Sequence, residues 1–305
     1  MELYIEKEFL DNFYLEFDES SESSSQKIVA TILKEYAEVE CFIDCEIESL
    51  EQLDFLKSEN SFFKAICDKS KSPLAVKSIK DHFFEKSKCE QTLIFTQNNK
   101  DWFNEAERKG ALCFSYENYQ QKIENIVQKC HFKIDLSEKF KGWGTSLKNI
   151  QELMPLNKII VNDSYLLDKP EFYKNNVYPL IKVISEEKST TKHFYTDILN
   201  KRVPFKTNII YNLLKEKYPT SEIKIIHNNV DNLNSHDRLL YSNHYIIDCA
   251  IGFNFNQQLT SNSQIIIETI FEKYTYNRLR NHLRKMDNHF QNLKVDKRIN
   301  AYYPN

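Results

Sequence analysis

The residues best suited to chemistry lie in one short run, Ser235-His236-Asp237-Arg238, followed by Asn243 and then by Gly252 and Asn254. Side chains two apart on a strand face the same side, so His236 and Arg238 can be aimed at one phosphate. Arg238 brings a permanent positive charge and a bidentate fork. Asn243 is a neutral amide and adds no charge to the group. His236 and Arg238 also fit a plainer role, satisfying a strand end while Asp237 pairs locally.

This run resembles the motif of the phospholipase D superfamily: His-any-Lys, four residues, Asp, then a Gly-containing stretch with Asn. His236 stands at the His position, Arg238 at the Lys position and Asn243 at the Asp position, and Gly252 and Asn254 fall near the downstream Gly and Asn. The resemblance covers residues 155–293, and the segment also looks like the noncatalytic phospholipase D-like domain attached to MIT domains. It implies His236, Arg238, Asn243 and Asn254 as the site, with a phosphohistidine intermediate where the family is active. It also implies a symmetric homodimer for a complete site, because the family uses two motifs and one is present. Loss of the carboxylate at Asn243 should harm turnover more than phosphate binding.

Residues 92–119 resemble the C-terminal end of a PIN-like domain: strand, Thr96, a polar loop, helix, Gly110, strand and closing helix. PIN ribonucleases gather carboxylates at the C-terminal ends of a parallel sheet around Mg²⁺ or Mn²⁺. The resemblance puts Glu6 nearest the first carboxylate, Glu35 or Glu38 on a helix, and Asp101 after the loop. Gln97, Asn98 and Asn99 stand where acids are usual, so Glu6, Glu35 and Asp101 form at most a degenerate PIN site. No metal and no cofactor are expected.

Strand and helix patterns alternate along the chain, which implies α/β architecture. The reading is two domains, each a mainly parallel or mixed sheet flanked by helices. Residues 1–130 form a PIN-like α/β domain, 131–155 a connecting segment with Gly142-Trp143-Gly144, 156–293 a phospholipase D-like domain and 294–305 a tail. Helices are expected over 49–70 and over 73–87, the second opened by Pro73. A long amphipathic helix is expected over 263–293, with Ile266, Ile267, Ile270, Phe271, Tyr274, Leu279 and Leu283 as its apolar stripe. Arg278, Arg280, Arg284 and Lys285 lie around that stripe and could track a phosphate backbone. An ordinary helix whose basic side answers acidic residues fits them equally.

Of 305 residues only 4 are glycine, and no Gly-rich nucleotide loop occurs. The 7 cysteines include no Cys-x-x-Cys pair, so they read as reduced core thiols rather than zinc ligands. No apolar run reaches the ~20 residues needed to span a bilayer, and the acidic N-terminus reads as no signal peptide. Cytoplasmic location and no membrane partner are the expectation. The net charge of −3 hides an acidic front over 1–62 and a basic stretch over 273–298. These features point to a degenerate nuclease-like binding or effector module for nucleic acid or a protein partner. Fold-level analogy with compact bacterial chains that pair nuclease-like folds points to mobile-element or antiphage functions, antiphage defence among them. The alternative is an active homodimeric phosphodiesterase or nuclease using His236.

Overall fold

The computed structural model describes residues 1–18, 22–69, 74–135, 147–163, 171, 173–185, 193–198, 207–227, 238–249, 264–290, 293–296 and 301–304. The protein is a mixed α/β chain of two compact units, Met1–Gln128 with Phe271–Lys273, and Lys129–Ile270 with Tyr274–Asn305.

Unit 1 carries β1 (Glu2–Ile5), α1 (Lys7–Glu16), α2 (Ser24–Glu35), β2 (Glu40–Ile43), α3 (Leu50–Glu59) and α4 (Ser61–Lys69). It continues with β3 (Leu74–Ala75), α5 (Ile79–Lys86), β4 (Thr92–Thr96), α6 (Phe103–Arg108), β5 (Ala111–Ser115) and α7 (Tyr119–Cys130). The strand order is β3-β2-β1-β4-β5, and every pairing is parallel. β1, β4 and β5 are buried throughout. Sequences such as Leu-Ile-Phe and Ala-Leu-Cys-Phe therefore read as unbroken apolar runs rather than alternating ones.

Register divides the core into two aromatic layers. Tyr4, Ile94 and Cys113 are cross-strand partners and face a cluster with Phe83, Trp102 and Phe103. Tyr4 also stacks on Phe42 at 4.7 Å. On the other side Phe95 stacks on Phe114 at 5.0 Å and meets Phe9 at 5.1 Å. Phe9 touches Tyr119, and Phe13 touches Phe62. Right-handed crossovers explain this partition. The chain moves one way from β1 to β3 and back past β1 to β4 and β5, so α5 and α6 cover the face opposite α1 and α4.

Local chemistry sets the helix ends. α2 opens on a capping box, in which Gln26 N donates to Ser23 Oγ (3.2 Å) and Ser23 N donates to Gln26 Oε1 (2.8 Å). The single helix expected over 49–70 is two, because Asn60 breaks it. Its Oδ1 accepts from Phe62 N (2.9 Å) and Phe63 N (3.1 Å), starting α4, while its Nδ2 donates to Leu10 O (3.2 Å). Over 73–87 the structure has β3 and then α5, opened by Ser78 accepting from Asp81 N; Pro73 lies outside the described residues.

Unit 2 carries β6 (Phe132–Asp135), α8 (Lys148–Leu153), β7 (Lys158–Asn162), and a π-turn at Tyr173–Val177 leading into α9 (Tyr178–Ser185). Then come β8 (His193–Ile198), α10 (Thr207–Lys217), β9 (Glu222–His227), β10 (Leu239–Tyr241) and β11 (Tyr245–Cys249). The last elements are β12 (Gln264–Thr269), α11 (Lys273–Phe290), β13 (Leu293–Asp296) and β14 (Ala301–Pro304). The sheet order is β13-β14-β9-β8-β7-β10-β11-β12-β6. β7, β8, β9 and β14 run parallel, while β10, β11, β12 and β6 pair antiparallel.

Three expectations for this half change. Residues 131–155, read as a connection, contain β6 and α8, and β6 is the sheet's edge strand beside β12; Gly142-Trp143-Gly144 lies outside the described residues. Residues 264–269, read as helix, form β12, with Ile265 and Ile267 buried and Ile266 and Glu268 partly exposed. β-branched residues alternating in burial suit a pleated surface better than a helix. Residues 294–305, read as a tail, hold most of β13 and all of β14, which pairs with β9.

Replacing Asn60 by Ala removes an N-cap and leaves two buried amides unsatisfied. The variant is expected to lose about 1–2 kcal/mol in urea unfolding, with an unchanged slope. A loss near zero would show that the break between α3 and α4 has another cause.

Candidate functional site

An open parallel sheet presents ligands at the carboxyl ends of its strands, where the strand order reverses. In unit 1 that point lies between β1 and β4. Glu6 follows β1 directly and is anchored by its own N–H donating to Phe95 O (2.8 Å). Its carboxylate is held on both oxygens: Oε2 accepts from Gln97 N at 2.7 Å, and Oε1 lies 2.7 Å from Lys100 Nζ. The two side chains are only 15% and 28% exposed, so the pair is shielded from water.

Asp44 follows β2 and accepts from Lys7 N at 2.5 Å through Oδ1. Burial pushes its carboxyl above the usual value, partly opposed by that hydrogen bond, and Glu6 nearby raises it further. Lys7 pairs with Asp11 one turn along α1, and Asn60 Nδ2 donates to Asp11 Oδ1 at 3.2 Å. The loop after β4 closes on itself, with Thr96 Oγ1 donating to Asn98 O (2.6 Å) and Tyr116 N donating to Thr96 O (2.9 Å). The edge is therefore a lattice of three carboxylates and two ammoniums, each carboxylate already bonded.

Such a set does not fit a divalent cation. Mg²⁺ or Mn²⁺ needs convergent carboxylate oxygens, and among the described residues no group of three His, Cys, Asp or Glu could hold a metal ion. An ammonium sits on Glu6 where that charge would be needed. Asp101 is exposed in the turn beyond Lys100, on the same edge as Glu6. Glu35 is not brought there. It ends α2, which leads into the start of β2 and so lies toward the opposite edge of a parallel sheet, and its partner is Lys273 at 2.5 Å. The Lys273 ammonium holds the Glu35 carboxyl below its usual value.

In unit 2, His236 and Asn254 lie outside the described residues. Arg238 and Asn243 are described and are not brought together. β10 runs antiparallel to β7, with Leu239 opposite Asn162 and Tyr241 opposite Ile160. Arg238 thus stands beyond the end of β7 and Asn243 at its start, a separation of about 15 Å for five strand residues. Asn243 is 1% exposed. Its Oδ1 accepts from Asn157 N (3.0 Å) and Lys158 N (3.1 Å), and its Nδ2 donates to Asn157 Oδ1 (2.5 Å). It straps the β10–β11 hairpin to the start of β7.

The basic helix is partly engaged by its own sheet. Arg278 contacts Asp248 at 2.5 Å and Glu268 at 3.7 Å, carboxylates on β11 and β12. Arg280 lies 6.0 Å from the Tyr276 ring, and His282 packs on Tyr241 at 5.0 Å. Arg284 is exposed, and the side chain of Lys285 lies outside the described residues. The buried side is Thr275, Tyr276, Leu279 and His282, whereas Tyr274 is 70% exposed.

Sequence reasoning missed Lys7, Asp11, Asp44 and Lys100. Asp44 was findable as an acid directly after a strand pattern; nothing in the sequence marks Lys100, whose role depends on the β4 loop folding back. The chain matches no protein-family model, no curated protein and no solved structure.

Two variants test these placements. Asn243→Asp, which places an acid where the resemblance to the phospholipase D superfamily expects one, is expected to confer no phosphodiesterase activity. It should cost about 1–3 kcal/mol, because it loses a donor and sets a carboxylate against Asn157 Oδ1. Hydrolysis of bis(p-nitrophenyl) phosphate gained by this variant would return residue 243 to the chemistry. Asp44 has a raised folded pKa, so its ionisation disfavours the folded state. That cost appears as pH rises through the ordinary aspartate range near ~3.9 and is full at neutral pH. Asp44→Asn should therefore be more stable than wild type at pH 7, with the gain shrinking toward pH 4. A constant difference across that range would assign the effect to packing.

Proposed function

We propose that this protein is a degenerate nuclease-like module that binds nucleic acid or a protein partner without turning over a phosphodiester. Unit 1 is read as PIN-like and unit 2 as phospholipase D-like. The observation that carries the reading is the Glu6–Lys100 pair at the switch point of the unit 1 sheet. The strand order 3-2-1-4-5 with parallel strands supplies the edge a metal-dependent nuclease would use, and a lysine takes the place of the metal. In unit 2 the Arg238–Asn243 separation supports the same conclusion, since the two residues cannot serve one phosphate. A role as an effector in antiphage defence is compatible with such a module and rests on fold-level analogy.

The reading is tested on labelled RNA and DNA, single- and double-stranded, with and without Mn²⁺. Binding without cleavage is expected. Manganese-dependent cleavage that disappears in Glu6→Gln would overturn it. Exposure and ion pairing along α11 suggest different contributions from its cations. Arg284→Ala should lower the log–log salt slope of binding by about one phosphate contact. Arg278→Ala should change the slope little, because Asp248 and Glu268 already engage its guanidinium. Sequence preference should be unchanged in both. No binding by wild type at low salt would remove nucleic acid and leave a protein partner.

A further inference from the structure

β6 ends the sheet of unit 2, with β12 on one side and, among the described residues, no strand on the other. Such an edge presents a row of backbone N–H and C=O groups that can template a further strand. The apolar layer of the sheet also runs out here. Register sets Val161, Leu240, Ile247, Ile267 and Phe132 in one row across five strands. The first four are buried, with at most 1% exposure. Phe132 is partly exposed, and so is Ile134 two positions on. Positions 133 and 135 alternate with these and take the other face of the sheet. They are Lys133, which is exposed, and Asp135.

Charge decides which strand can be added. A lysine on an edge discourages pairing, because an incoming strand must meet it. A second β6, antiparallel about a two-fold axis normal to the sheet, keeps both faces continuous when odd positions meet odd and even meet even. An axis at 133 sets lysine against lysine, and one at 135 sets aspartate against aspartate. An axis at 132 sets Lys133 against His131. An axis at 134 sets Lys133 of each copy opposite Asp135 of the other, twice by symmetry, with Ile134 opposite Ile134. The far edge strand, β13, has the same order of residue types, Leu293-Lys294-Val295-Asp296. Register across the sheet, however, puts Val295 rather than Lys294 on the face of Lys133. Head-to-tail stacking of copies therefore opposes charge to apolar residue. We propose that β6 pairs antiparallel with β6 of a second copy about a two-fold axis at Ile134, joining two unit 2 sheets edge to edge. The proposal is independent of whether either unit binds nucleic acid.

The test is sedimentation velocity of the full chain from about 2 µM to about 200 µM, since a dimer grows with concentration by mass action. A species of twice the mass of the 36.4 kDa monomer is expected to accumulate. Lys133→Asp alone sets acids opposite each other at both pairs, and Asp135→Lys alone sets lysines opposite each other. Each should weaken association at least about tenfold. The two together reverse the pairs and should restore most of it. A readout on the unmutated chain guards against misfolded variants: amide hydrogen exchange over residues 132–135 should slow as the dimer forms. A monomer at every concentration overturns the proposal. So does a dimer whose β6 amides exchange no more slowly, one that survives the single swaps, or one that the double swap fails to rescue.

Discussion

A parallel sheet covered by helices on both faces has no place for polar chemistry except at its strand ends. In unit 1 this constraint governs everything else. β1, β4 and β5 are buried from end to end, so the first carboxylate after β1, Glu6, emerges where the strand order reverses. It must find partners there, because a charge shielded from water is costly unless paired and hydrogen-bonded. Gln97 N–H and Lys100 supply them. This chain meets that demand from within. The same edge shows the pattern repeated, with Asp44 on the Lys7 amide and Asp11 on the Lys7 ammonium and Asn60. The outcome is a rim whose carboxylates are each already bonded rather than an open coordination site.

The sheet of unit 1 was legible because its signals agree at several levels. Short apolar runs in Thr92–Thr96 and Ala111–Ser115 alternate with amphipathic helices, and Gly110 takes a positive φ of 103° at the turn into β5. Break points were harder. The boundary at Asn60 is invisible to periodicity, since apolar spacing continues through Phe62, Phe63 and Ile66. The break is made by one side chain that caps α4 while bonding α1, a tertiary contact that spacing does not encode.

In unit 2 the failures have two physical sources. Ile265, Ile266, Ile267 and Ile270 satisfy helical spacing and strand alternation alike, and only pairing with β11 and β6 decides for the strand. Burial alternation along Gln264–Thr269 is the consequence of that pairing, not something the composition announces. Asn243 failed differently. A motif alignment counts residues, and it placed Arg238 and Asn243 at one site because five positions separate them. A strand converts five positions into length, and a hairpin at Ser242–His244 then fixes Asn243 at the far end. The turn itself was readable, as the three polar residues Ser242, Asn243 and His244 between the runs Leu239–Tyr241 and Tyr245–Cys249.

The charge segregation along the chain was read correctly as arithmetic, and its meaning depends on where each charge finds a partner. Arg278 belongs to a basic run in sequence, but its guanidinium reaches Asp248 and Glu268 on the sheet beneath it. It is a strut between α11 and two antiparallel strands, and its removal would leave two partly buried carboxylates facing each other. Arg284, two turns further, is exposed and has a different relation to solvent. A basic tract therefore divides by position on the helix: Arg278 over the sheet is bound to its carboxylates, and Arg284 past it is exposed. The acidic front divides the same way, with Glu6, Asp11 and Asp44 bound into the strand-end lattice and Glu51 and Asp54 left on the outer side of α3. It is this second division, between charges the fold consumes and charges it presents, that determines which surfaces of the protein can recognise anything.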